Sequence, residues 1–151
     1  MSQIDQLQKF AQDVIEAHEL VRTFGPKGDK KRAQEVLEFL PAAAARGYLL
    51  ATEHQGKISS MAIAGPTNKP GSLHNLTPDG MQLYCHYALV HPRCRLVMKG
   101  LKCLEEMLVQ AYARYPHCEV LAYWHNGTYH ERAFKEGRVT WAGRRSATVV
   151  T

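Results

Sequence analysis

Apolar residues recur at helical spacing from the start of the chain. Ile4, Leu7, Ala11, Val14 and Ile15, with His18, fall on one face and predict a helix over residues 5–22. Gly25-Pro26-Lys27-Gly28 breaks that pattern. A second helix is predicted to open at an Asp29 cap, with Ala33, Val36, Leu37 and Leu40 on its apolar face. Pro41 either ends it or starts a further turn over 42–46, and Gly47 stops the chain there. The pattern then changes period. Residues 48–53 and 58–64 are strand-like and flank His54-Gln55-Gly56-Lys57, which predicts a hairpin. Residues 65–80 hold Pro66, Pro70 and Pro78 together with Asn68 and Asn75, and predict a long surface loop.

A strand is predicted over 81–90. Strict alternation puts Met81, Cys85 and Leu89 on one side and Gln82, Tyr84, His86 and Ala88 on the other. A long helix follows, with Val97, Leu101, Leu104, Leu108, Ala111 and Tyr115 on one stripe, and Pro116 ends it. Residues 118–124 form a short apolar strand. Thr128-Tyr129-His130-Glu131 fits a capping box, so a short helix is predicted from Thr128 to a C-terminal glycine at Gly137. Residues 139–150 close the chain as one or two strands. The order α-α-β-β-β-α-β-α-β(-β) predicts an α/β chain, α+β in stricter terms. It implies one mixed, mostly antiparallel sheet with helices on both faces. A length of 151 residues suits a single domain, with helices over 1–46 and the sheet over 47–151.

Composition narrows the function less than the pattern does. The apolar fraction of 45% and charged fraction of 22% are those of an ordinary globular protein. A net charge of +5 suits an anionic partner, and coenzyme, nucleic acid and acidic protein surface all qualify. No apolar run approaches the roughly 18 residues of a membrane-spanning helix. The start Met1-Ser2-Gln3-Ile4-Asp5 lacks the features of a secretory signal. Cys85, Cys94, Cys103 and Cys118 form no C-x-x-C pair and read as reduced thiols, so a cytoplasmic protein is expected. Cys85 and His86 are strand neighbours facing opposite ways, so a metal cluster of Cys85, His86, His91 and Cys94 is not expected. The run Lys27, Lys30, Lys31 and Arg32 has no interleaved aromatics, which argues for a solvated face over a nucleic-acid platform.

The sharpest motif lies where the 81–90 strand meets the long helix. The strand ends in Val90-His91-Pro92, and Arg93-Cys94-Arg95-Leu96-Val97-Met98-Lys99-Gly100-Leu101-Lys102 leads onward. The first amides of a helix have no intrahelical partner, and the helix dipole favours an anion beside them. This arrangement resembles the GNAT (GCN5-related N-acetyltransferase) superfamily. There a strand ending in V-x-P precedes an Arg/Gln-x-x-Gly-x-Gly/Ala loop. Arg95 and Gly100 match that loop, and Met98 stands where its first glycine belongs. The resemblance spans residues 48–150.

It implies a GNAT-like sheet and acyl transfer from acetyl-CoA, as cosubstrate, to a primary amine. It also implies that the amides of Leu96, Val97, Met98, Lys99, Gly100 and Leu101 cradle the coenzyme pyrophosphate. Arg95, Lys99 and Lys102 would add positive field. The pantetheine would run in the splay between the strand ending at Leu89 and Val90 and the strand over 120–124. Asn126 would face the coenzyme. The chain departs from the family in opening with a helix. It also has Ala133 and Gly137-Arg138 where the family places its tyrosine acid and Gly-Phe pair. The segment from Asn126 to Gly137 and the altered loop also resemble acetyltransferase-like proteins of tailed phages. That likeness implies an alternative, a non-catalytic binding or virion-assembly role with a protein partner.

Three side chains are candidates for the chemistry. His86 shares a strand face with Tyr84 and suits a general base, because amine acyl transfer must remove a proton from an ammonium. Its plain alternative is a hydrogen-bonded structural histidine. Glu53, at the end of the hairpin strand, is a second candidate base acting through a water. Tyr129 is the candidate acid toward the coenzyme thiolate, against the alternative of a packed ring with its hydroxyl at the surface. Loop 65–80 and the two N-terminal helices would form the acceptor site in such a family. The C-terminal 147–151 segment is a candidate edge for a homodimer.

Overall fold

A computed structural model of the chain describes residues 3–21, 27–90, 99–125 and 128–139. Two helices come first, α1 (Gln3–Val21) and α2 (Lys27–Arg46). The strands β1 (Leu49–His54), β2 (Lys57–Thr67) and β3 (Gln82–Val90) follow, with a short 3-10 turn (Leu73–Asn75) before β3. Helix α3 (Lys99–Arg114) leads to β4 (Val120–His125), β5 (Thr128–Lys135) and β6 (Arg138–Val139). The six strands lie in the order β1-β2-β3-β4-β5-β6. All neighbours are antiparallel except β3 and β4, which run parallel because α3 crosses over between them. This is the mixed, mostly antiparallel α+β sheet that the sequence pattern predicts.

Each face of the sheet has its own core. Under α1 and α2 lie Tyr48, Met61, Ile63, Tyr84, Ala122 and Tyr129, packed on Leu7, Phe10, Val36 and Leu40. Under α3 lie Leu50, Ala62, Ala64, Leu83, Leu121 and Phe134, packed on Met107 and Ala111. Pro41 sits inside α2 and does not end it. The buried residues Val36, Leu40 and Ala43 run along one stripe across the proline, so packing holds a helix that propensity alone would break. Gly47, at φ 76°, then stops it as predicted.

Four expectations need correction. The segment from Thr128 is no helix: β5 pairs with β4 along its length, from Val120 opposite Ala133 to His125 opposite Thr128. A capping box is a local signal, and a neighbouring strand supplies more hydrogen bonds than one helical turn. Gly137 ends no helix either. Glu136 and Gly137 have φ of 54° and 75° and form the tight turn into β6. Gln55 and Gly56, at 53° and 74°, make the same turn between β1 and β2, so that hairpin loop has two residues where four were expected. Two consecutive positive φ values match the right-handed twist of the strands they join. Lastly, the buried stripe of α3 is Cys103, Met107 and Ala111, with Leu104 and Leu108 beside it and only partly covered. The inward face is thus rotated from the predicted one.

Strict alternation along β3 also fails, for a reason that shapes the site. Ala62 pairs with Ala88 and Ala64 with Cys85, so β3 carries one extra residue between these pairs. This bulge shifts the phase. Tyr84 and Leu89 therefore share the α1/α2 core, while Cys85 and Ala88 pack toward α3.

The open edge of the sheet at β1 is covered by α3. Gln110 donates through Nε2 to the Ala51 carbonyl at 2.8 Å and accepts from the Ala51 amide at 3.4 Å. Arg114 donates to the carbonyls of Gly47 and Leu49. Unpaired edge groups are a template for association with other chains. Gln110→Ala is expected to lower stability by about 1–3 kcal/mol, the cost of stranding partly buried amide groups. Urea denaturation with light scattering at two protein concentrations checks this, and concentration-dependent association is the second expected sign.

Candidate functional site

The site grows from the bulged part of β3. Tyr84 and His86 lie on the α2 side of the sheet and are both buried. The Tyr84 hydroxyl is 2.8 Å from His86 Nδ1. From α2, Glu35 brings Oε2 to 2.8 Å from His86 Nε2. Nδ1 shares a hydrogen bond with the Tyr84 hydroxyl, in which the donor depends on the tautomer, and Nε2 lies within ion-pair distance of the Glu35 carboxylate. Protonation gives an imidazolium with an anion on one side and a phenol oxygen on the other.

Tyr129 stands on β5 on the same side of the sheet, with Ala122 of β4 in the same core cluster. Ala122 pairs with Tyr84 on one side and with Glu131 on the other. Tyr129 donates its hydroxyl to Glu131 Oε1 at 2.9 Å. Burial, that hydrogen bond and the charge of Glu131 together hold the phenol well above the ordinary tyrosine range. It is fully protonated near neutrality and is a proton donor in form.

The parallel pair β3 and β4 is hydrogen-bonded from Gln82–Val120 to Cys85–Tyr123 and no further. Beyond that point β3 runs on to Val90, which pairs with Ser60 of β2, while β4 runs to His125. His86 is the first β3 residue past the last β3–β4 pair. Leu89 and Val90 are buried at the end of β3. Helix α3 is described from Lys99 onward, and Lys102 is exposed. Arg95, Leu96, Val97, Met98 and Asn126 lie outside the described residues, as does the 147–151 segment.

Glu53 is not brought to this group. It is exposed near the β1–β2 turn, opposite Ile58. His86 faces the β2 segment near Ile63, which is about 17 Å away along the strand at roughly 3.3 Å per residue. Glu35 is the member that the sequence reading missed. An acidic residue immediately beside the buried Val36 was its only signal.

A cleft of about 530 Å³ opens over His86, between α2 and the turn at 71–74. Glu35, Glu38 and Lys31 of α2 line one side, and Leu73 and His74 line the other. Phe39 meets the His74 ring edge to face, with centroids 5.7 Å apart. Among the described residues no group of three His, Cys, Asp or Glu side chains is placed to hold a metal ion. No helix among them is long and apolar enough to cross a membrane.

Cys85, Cys103 and Cys118 are free thiols. Burial pushes Cys85 up to about 12 and Cys118 up to about 11. Above the ordinary thiol value of about 9 the unfolded chain releases protons that the native chain keeps, so stability falls as pH rises from there. Below it these groups contribute no pH dependence. The urea midpoint is expected to be lower at pH 10 than at pH 8, and Cys85→Ala is expected to shrink the difference.

No protein-family model matches this sequence, and neither does any curated protein. Among solved structures the chain is similar to a proposed acetyltransferase of the GNAT family from Desulfovibrio desulfuricans. Sequence identity is 19% and the TM-score is 0.44, over 74% of this chain and 66% of that one.

Proposed function

We propose that this chain is an acyl-CoA-dependent N-acyltransferase, with acetyl-CoA as the preferred donor and a primary amine as acceptor. One observation carries the reading. The parallel strands β3 and β4 part after Cys85–Tyr123, and His86 sits at the apex of that parting, with α3 later in the chain than β3. A thioester laid between two separating strands meets strand amides along its length and helix amides at its phosphates. Lys99 and Lys102 would add charge to the cradle by the sequence resemblance. Arg95, Leu96, Val97, Met98, Gly100 and Leu101 belong to the proposed cradle by the sequence resemblance, and so does Asn126 across the splay.

The chemistry then divides between two groups. His86, held between Glu35 and Tyr84, takes the proton that an ammonium must lose before it attacks. The amine nitrogen forms its bond to the thioester carbon as the carbon–sulfur bond breaks. Tyr129 returns a proton to the departing thiolate, and the second proton that the nitrogen sheds as the amide forms restores the phenol. For that step its hydroxyl must leave Glu131, so Tyr129→Phe is expected to slow turnover by roughly tenfold to a hundredfold, within the usual range of acid–base contributions. Coenzyme affinity should be unchanged. Steady-state kinetics with free-thiol detection checks both.

The founding test is calorimetric titration with acetyl-CoA, beside Arg95→Glu and Gly100→Trp variants. Micromolar binding that both variants abolish is the expected result. No binding up to millimolar coenzyme overturns the reading and turns the search toward a protein partner.

A further inference from the structure

Resting on the acyltransferase reading, we infer that the acceptor is a small, singly charged primary amine with an apolar, preferably aromatic, body. It enters through the cleft between α2 and the 71–74 turn. The floor of that cleft is His86, only 4% exposed, with Glu35 against it. Glu38 follows Glu35 by three residues on α2, so the two carboxylates present neighbouring positions on one helix face. An ammonium between them is held electrostatically, and the group that must remove its proton lies directly beneath.

The walls specify the rest of the molecule. Phe39 and His74 meet edge to face at 5.7 Å, and Leu73 lies buried beside them. These surfaces pack against carbon, and aromatic pairs gain from this geometry beyond simple area burial. Lys31 stands one helical turn before Glu35 and lines the same cleft. Its ammonium repels a second cation on the ligand, which disfavours polyamines. A volume of about 530 Å³ admits a molecule of fragment size and excludes a folded protein segment.

The test is calorimetric titration of the full chain, without coenzyme, with 2-phenylethylamine, ethylamine and spermidine. Phenylethylamine is expected to bind roughly tenfold more tightly than ethylamine, the worth of one well-packed aromatic contact. Phe39→Ala should erase that preference. Glu38→Gln should weaken both monoamines by about twofold to fivefold, as an exposed ion pair allows. Glu38 is exposed, so its glutamine variant keeps the fold. The inference is overturned if spermidine binds most tightly, if neither variant alters monoamine binding, or if no amine binds. The acetyl-CoA titration separates the two readings. Coenzyme binding without amine binding removes only the cleft assignment. Amine binding without coenzyme binding removes the acyltransferase and leaves an amine-binding protein.

Discussion

Gly80→Ala is expected to destabilise the protein by roughly 3 kcal/mol or more, a large part of the usual 5–15 kcal/mol of a domain. A methyl group at Gly80 would lie 2.1 Å from the Thr67 amide nitrogen, 2.3 Å from its Cα and 2.5 Å from its carbonyl carbon. These are backbone atoms, and they cannot rotate away as a long side chain can. Both partners are pinned. The Thr67 hydroxyl donates to the Asn75 carbonyl at 2.8 Å and accepts from the Lys69 amide at 3.0 Å. Gly80 donates to the Thr77 carbonyl at 3.0 Å, and its own carbonyl lies 2.9 Å from His117 Nε2. Relieving the clash means lifting the whole returning loop from β2. Urea unfolding gives the stability change directly. The same loop carries Leu73 and His74, so any folded Gly80→Ala protein should also bind monoamines more weakly. A variant with wild-type stability would show that the loop is loosely held, and would remove the rigid wall assumed for the cleft.

His86→Ala is expected to lower kcat by a hundredfold or more, at the upper part of the range for a positioned base. The acetyl-CoA affinity should stay close to wild type, because the side chain lies at the apex of the splay on the α2 side of the sheet. Two further measurements distinguish a base from a structural histidine. The acidic limb of the pH profile of kcat/KM should disappear in the variant. Glu35→Gln, which keeps the shape and removes the charge beside Nε2, should displace that limb and retain part of the activity. Some stability is lost as well, about 1–3 kcal/mol, because the fully buried Tyr84 hydroxyl loses its 2.8 Å partner. Unfolding must therefore be measured beside the kinetics. An alanine variant that turns over at the wild-type rate removes His86 from the mechanism.

Legibility in the sequence followed the range of the interaction. Both N-terminal helices, the first hairpin, β3 and α3 were readable because each carries its own periodicity and its own stop signals at Gly47, Gly56 and Pro116. His86 beside Tyr84 was readable too, since residues two apart on a strand share a face. The β5 segment was misread. Its capping-box residues are equally content in a strand, and only the presence of β4 decided between the two. The same limit explains Glu53, which was attractive for its residue type and then left exposed near a turn.

The local pattern of this chain thus determined the helices and strands other than β5, and that they assemble into one mixed sheet. Tertiary structure decided the rest. It set the phase change at the β3 bulge, the point at which β3 and β4 separate, and the approach of Glu35 to His86. Periodicity records which side of an element is apolar, because burial acts on every residue of a stripe alike. It carries no record of which polar atom on one element meets which on another. That meeting depends on the distance and rotation between packed elements, which are settled only when the two cores close on the sheet.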